Sequence, residues 1–147
     1  GTVTHPEIIS EVFSADTLCM VAAPGHPLAA NRTVTLADAA SCPLLLREPG
    51  SAGREIVESL FLSGGIQITP VWESVSTLAL IRAAQNGLGI AILPELLVRD
   101  ALKSGDLVSL PLSPDILTRS LYLIWHRNKY LSSSAEEFLN LCRMWKF

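Results

Sequence analysis

Residues 73–94 constrain the fold more than any other part of this chain: Glu-Ser-Val-Ser-Thr-Leu-Ala-Leu-Ile-Arg-Ala-Ala-Gln-Asn-Gly-Leu-Gly-Ile-Ala-Ile-Leu-Pro. They read as helix, glycine stop and buried strand. Ser76 carries a short hydroxyl side chain suited to capping the first amides of a helix, and the spacing predicts that helix over residues 77–86. Gly87 stands where a left-handed stop is needed. Residues 89–93 are then a short apolar run closed by Pro94, the pattern of a strand buried on both faces. Such a strand implies a parallel sheet with helices above and below, and sheets of that kind bind small ligands at one edge.

The flanking sequence repeats the alternation of strand and helix. Residues 17–23 form an apolar run stopped by Pro24-Gly25-His26-Pro27, a strand ending in a sharp turn. Thr35-Leu-Ala-Asp38 matches a capping box and starts a short helix ending near Ser41. Residues 43–47 are a second buried strand. Residues 54–63 make a helix with Ile56, Val57, Leu60 and Phe61 on one face, stopped by Gly64-Gly65. Residues 67–73 are strand-like, and Pro70 puts that strand at or near an edge. Further on, a helix over 95–103 ends at Ser104-Gly105, and a strand over 107–112 precedes a proline loop at Ser113-Pro114. A strand over 119–126 leads to a last helix, begun by the capping box Ser134-Ala-Glu-Glu137 and striped with Phe138, Leu141, Cys142 and Trp145. Strands alternating with helices give an α/β class.

Composition narrows the function. Hydrophobic residues are 49% of the 147 and charged ones 17%, which excludes a disordered tail. No apolar run reaches the ~20 residues of a membrane span, and the sequence from Gly1 lacks the regions of a signal peptide. These features, with Cys19, Cys42 and Cys142 in apolar surroundings as buried reduced thiols, place the chain in the cytoplasm. A net charge of -3 argues against gripping a phosphate backbone.

Catalytic and metal motifs do not hold up. His5, His26 and His126 are scattered and have no patterned acidic or Cys partner, so no metal or other cofactor is expected, and His26 reads as a solvent-facing turn residue. Pro49-Gly-Ser-Ala-Gly53 differs from a nucleophile elbow because Pro49 stands where glycine is required. Gly87-Leu-Gly89 closes a helix and opens a strand, the reverse of a dinucleotide fingerprint. The chain reads as a binding module rather than an enzyme.

At the C-terminal edge of a parallel sheet, the loop 48–53 opens one helix and residues 74–77 open another. Unsatisfied amides and the positive dipole end at both starts favour a carboxylate or similar anion. Ser51, Ser76 and Thr77 add hydroxyls, and Arg47 or Arg54 could supply a charge-assisted fork. Capping alone accounts equally well for Ser51 and Ser76. Arg54 fits equally well as an exposed first-turn residue, and Arg82 fits exposure better. The candidate effector-binding set is Ser51, Gly53, Arg54, Ser76 and Thr77.

The sequence resembles the C-terminal effector-binding domain of LysR-type transcriptional regulators. The resemblance rests on Val-Ala-Ala-Pro-Gly-His-Pro-Leu (21–28), Val-Thr-Leu-Ala-Asp (34–38), Leu-Arg-Glu-Pro-Gly-Ser (46–51) with Arg54, and Ala-Gln-Asn-Gly-Leu-Gly-Ile-Ala-Ile-Leu-Pro (84–94). It continues through Gly-Asp-Leu-Val (105–108) and Leu-Tyr-Leu-Ile-Trp-His (121–126). It implies a fold like a type 2 periplasmic binding protein, two α/β lobes joined by two crossover strands with an effector in the cleft. On that reading residues 1–22 are a remnant of the first lobe and the outward crossover. Residues 23–120 are the complete second lobe, and 121–147 are the return crossover and last helix. The hinge falls at Ala22, Ala23 and Leu123. Most of the first lobe and the DNA-binding winged helix-turn-helix are then missing from the chain.

The implied function is to bind a small anionic metabolite and, in a homo-oligomer, control transcription, with no membrane partner. A solute-binding protein feeding a transporter is the alternative. With the first lobe largely missing, the stripe on the last helix, or the helix 54–63 with the edge strand 67–73, is expected to drive self-association. DNA would be reached only through the absent segment, so a gel-shift assay at physiological salt should show no sequence-specific retardation by these 147 residues alone. Specific retardation would contradict the domain assignment.

Overall fold

The computed structural model describes residues 5–113 and 118–145. Its elements, in chain order, are β1 (Ile8–Ala22), a 3-10 turn (Pro27–Ala30), β2 (Val34–Thr35), α1 (Leu36–Ala40), β3 (Leu44–Arg47) and α2 (Ala52–Ser63). There follow β4 (Trp72–Ser74), α3 (Thr77–Gln85), β5 (Ile90–Pro94), α4 (Glu95–Ser104), β6 (Val108–Leu110), β7 (Leu112–Ser113), β8 (Thr118–His126) and α5 (Ser133–Met144). The chain divides into two compact units, residues 17–117 and residues 1–16 with 118–147.

In the larger unit the strands run in the order β4-β3-β5-β1-β6. Only part of this sheet is parallel. β3 lies parallel to both β4 and β5, whereas β1 is antiparallel to β5 and β6. The expectation of a wholly parallel sheet is corrected to that extent. Alternation along the strands sends side chains to two opposite cores. Leu44, Leu46, Ile90 and Ile92 pack with Val57, Leu60 and Phe61 of α2 on one face. Leu45, Ala91 and Leu93 pack with Leu80, Ile81 and Ala84 of α3 and Val98 of α4 on the other. Helices on both faces explain why the strands read as unbroken apolar runs.

Local chemistry sets the element ends. Thr35 and Asp38 close a capping box at α1, with Asp38 N donating to Thr35 Oγ1 at 3.1 Å and Thr35 N to Asp38 Oδ2 at 2.9 Å. The Thr35 hydroxyl, donating to Asp38 Oδ2 at 2.7 Å, and then the Thr35 amide hold the Asp38 carboxyl below its ordinary pKa. α3 ends in a Schellman motif, Gly87 N donating to Ala84 O and Leu88 N to Ala83 O, with Gly87 at φ 75°. Gly105, at φ 78°, ends α4. The 67–73 strand shrinks to Trp72–Ser74 because Pro70 has no amide to donate, and β4 is the edge strand expected. The single strand expected over 107–112 is two, separated at Pro111, and β7 turns away to pair in parallel with β2. The loop expected at Ser113-Pro114 reaches into residues 114–117, outside the described residues. His26 is not a free turn residue. Its Nδ1 accepts from Leu28 N at 3.2 Å to cap the 3-10 turn, and desolvation lowers its pKa.

The smaller unit contains the first part of β1, β8 paired with it, and α5. β1 begins at Ile8, well before the expected 17, because polar residues such as Ser10, Glu11 and Ser14 hide its extended form in the sequence. α5 is capped by Ser132, whose Oγ accepts from Ala135 N at 3.3 Å, so the expected capping box at Ser134 does not form. Starting two residues earlier lengthens an already nucleated helix, which costs little. Arg143 Nε and Nη2 grip both Glu11 oxygens at 2.9 and 2.8 Å, and this hydrogen bonding lowers the Glu11 pKa. Phe13, Phe138, Leu141, Cys142 and Trp145 line an apolar groove of about 440 Å³, and no residue of α5 is fully buried.

Two glycines two residues apart serve different ends. A Cβ on Gly87 would meet nothing within 4 Å, whereas one on Gly89 would strike the Pro43 carbonyl oxygen and lie 3.0 Å from Pro43 Cβ. Gly89 therefore lets β5 seat against β3, where Ile90 N donates to Pro43 O at 2.8 Å. Gly87→Ala should cost about 1 kcal/mol, for the left-handed backbone alone. Gly89→Ala should cost about 3 kcal/mol or more through overpacking against backbone. Urea denaturation of the two variants checks this; equal midpoints would contradict it.

Candidate functional site

β3 and β4 run parallel with Arg47 opposite Ser74, so both strands finish at the same edge of the larger unit. Each leads directly into a helix. α2 starts after Ser51, whose Oγ accepts from Arg54 N at 3.2 Å, and α3 starts after Ser76, whose Oγ accepts from Ala79 N at 3.3 Å. The structure thus brings the α2 and α3 starts to one edge, with Gly53 in the first turn of α2 and Thr77 as first residue of α3. Both serines act as caps, as one of the two sequence readings held. A capping hydroxyl satisfies one amide and leaves the other first-turn amides of each helix without a partner inside the helix. The first turn of α3 carries no acidic side chain, whereas that of α4, which begins from parallel β5, carries Glu95. The positive end of α3 is therefore the less compensated of the two.

Two arginines tie this edge together. Arg54 is only 6% exposed, so the reading of it as an exposed first-turn residue is corrected. Its Nε donates to Glu58 Oε1 at 2.6 Å, and its Nη1 to Glu73 Oε1 and Arg47 O, both at 2.9 Å. Burial works against its charge, but the bonds to Glu58 and Glu73 outweigh this and raise its pKa. Arg47 forms a bidentate pair with Glu48, Nε to Oε2 at 2.8 Å and Nη2 to Oε1 at 2.9 Å, and its Nη1 donates to Thr77 Oγ1 at 3.2 Å. Hydrogen bonding to Arg47 lowers the Glu48 pKa. The free guanidinium fork expected here is thus already engaged in both cases. Arg82 is exposed and bonded to Gln85, away from this network.

Sequence reasoning did not anticipate Glu48, Glu58 and Glu73. Glu58 could have been found from its i,i+4 spacing to Arg54. Glu73 meets Arg54 through the strand register, which no local pattern reports. None of the hinge candidates supplies a bond to this network. Ala22 is fully buried and paired with Val108, Ala23 O accepts from His26 N, and Leu123 is in β8. The division within β1 falls between residues 16 and 17. Among the described residues, no group of three His, Cys, Asp or Glu could hold a metal, and no helix is long and apolar enough to cross a membrane.

Two capped helix starts at the end of neighbouring parallel strands, inside an α/β sheet domain, make an edge of a kind that can receive a small ligand. The chain belongs to the LysR substrate binding domain family, whose family model matches residues 1–146. It is 40% identical over 142 residues to the uncharacterized HTH-type transcriptional regulator YeiE of Escherichia coli K12, covering 97% of this chain and 48% of that protein. The chain therefore spans about half the length of the curated relatives it matches. The Synechocystis PCC6803 CcmR regulatory domain, solved in complex with 2-PG, shares the fold with a TM-score of 0.85 at 23% identity, over 96% of this chain and 70% of that one. The effector binding domain of QuiR in complex with shikimate gives 0.83 at 23% identity, over 97% and 66%. The family model and the YeiE match favour the LysR family over the solute-binding alternative.

Replacing Arg54 by Ala should destabilise the chain by about 2 kcal/mol, because buried hydrogen bonds to charged groups are lost. Arg82→Ala, at an exposed position, should stay within about 0.5 kcal/mol of the parent. Urea midpoints measure both, and an equal loss in the two variants would contradict the network.

Proposed function

We propose that this chain is the ligand-sensing part of a bacterial LysR-type regulator and that it binds a small anionic metabolite at the α2 and α3 starts. One observation carries this reading: two hydroxyl-capped helix starts share the C-terminal edge of neighbouring parallel strands. Such starts present amides and positive dipole ends to an anion. Ser51, Gly53, Ser76 and Thr77 form the ligand-facing set. The complexes of CcmR with 2-PG and QuiR with shikimate support a small metabolite as the class of ligand.

Binding would act by population shift. A ligand that fits one arrangement of the regulator better than another moves the equilibrium by that difference in affinity. No bond is made or broken in this scheme, and it requires no cofactor. In the whole protein the shift would reach DNA through a helix-turn-helix segment, in a cytoplasmic homo-oligomer. The exposed groove on α5 supports an apolar association surface.

Removing one neutral hydrogen bond costs about 1 kcal/mol, so Thr77→Ala should weaken effector binding by about that amount. Isothermal titration calorimetry on the intact regulator measures the change, with Ser51→Ala run beside it. Unchanged affinity in both variants would remove these residues from the site.

A further inference from the structure

Resting on the anion-binding reading above, we infer that the two arginines at this edge have separate duties: Arg47 meets the ligand's negative charge, and Arg54 is a positioning residue that never touches it. Their surroundings differ in the way each duty requires. Arg54 is 6% exposed and spans three elements, bonding Glu58 on α2, Glu73 on β4 and the Arg47 carbonyl at the end of β3. Those bonds fix where α2 begins relative to the ends of both strands. Pulling this guanidinium toward a ligand would break its bonds to Glu58, Glu73 and the Arg47 carbonyl together.

Arg47 is placed differently. Its side chain is 32% exposed and pairs with its sequence neighbour Glu48, which is exposed to the same degree. What separates it from Arg54 is access: a ligand can reach the part-exposed Arg47 guanidinium, whereas Arg54 is closed off at 6% exposure. Arg47 Nη1 already reaches Thr77 Oγ1, at the helix start that carries no acidic first-turn residue. An anion arriving at α3 would meet Arg47 beside Thr77 and compete with Glu48 for the rest of the guanidinium. Glu48 is then an internal counter-anion that sets the threshold for ligand charge, and the Arg47–Glu48 pair is the specificity element of the edge.

The two duties give opposite signs on removing the partner carboxylate. Inorganic phosphate is the probe, titrated by calorimetry into the 147-residue chain and its variants at several ionic strengths. Glu48→Gln frees Arg47 and should tighten phosphate binding about threefold or more. Glu73→Gln loosens the scaffold and should weaken it about threefold, with the ionic-strength dependence unchanged because no ligand-facing charge is lost. Arg47→Gln should weaken it about tenfold and flatten that dependence. Glu58→Gln repeats the Arg54 arm should Glu73→Gln fail to fold.

Tighter binding in Glu73→Gln would put Arg54 on the ligand and overturn the assignment. Unchanged affinity with lowered stability would make Arg54 merely structural and overturn it also. No phosphate binding by the parent or by Glu48→Gln would instead sink the anion reading itself, and the assignment with it.

Discussion

Parallel pairing of β3 with β4 on one side and β5 on the other is the constraint on which the larger unit depends. Parallel strands cannot be joined by tight turns, so each must hand the chain to a crossover helix. Because β3, β4 and β5 point the same way, α2, α3 and α4 all begin at one edge. The α2 and α3 starts, with hydroxyl caps, are where an anion could be met. The antiparallel β1 and β6 extend the sheet and its two cores but add no helix start there.

That pairing depends in turn on close approach. Ile90 joins the register only because Gly89 lets the chain pass the Pro43 carbonyl, and the Schellman stop at Gly87 turns the chain out of α3 just before it. On the far side, the alternation Leu44-Leu45-Leu46 divides β3 between two cores, so neither helix layer can slide by one residue without turning apolar side chains out. Arg54 locks the end of this arrangement. A nearly buried guanidinium stays charged there because Glu58 and Glu73 lie against it, and the Arg47 carbonyl takes a further bond.

Much of this was legible in the sequence. Ser51, Ser76, Thr35, Gly87 and Gly105 each announce an element end through local backbone chemistry, and the structure uses all five. Local chemistry also misled where it offered near-equivalents. Of three adjacent serines, Ser132 rather than Ser134 caps α5. The first half of β1 was not readable, since its polar residues lie on a half-exposed strand with no apolar run to mark it. Around the candidate site, the caps could be read but their wiring could not. Whether Arg54 faces solvent, ligand or carboxylate depends on Glu73 arriving from another strand, and register of that sort is a property of the assembled sheet.

Amide chemical-shift mapping during titration of the chain with inorganic phosphate tests the central claim most directly. The account predicts shifts concentrated at residues 51–54 and 76–78, where the two helix starts present their amides. The larger unit also holds a cavity of about 380 Å³ lined in part by Thr17, Cys19, Glu95 and Ser109. Shifts confined to that cavity, with the α2 and α3 starts unmoved, would contradict the account.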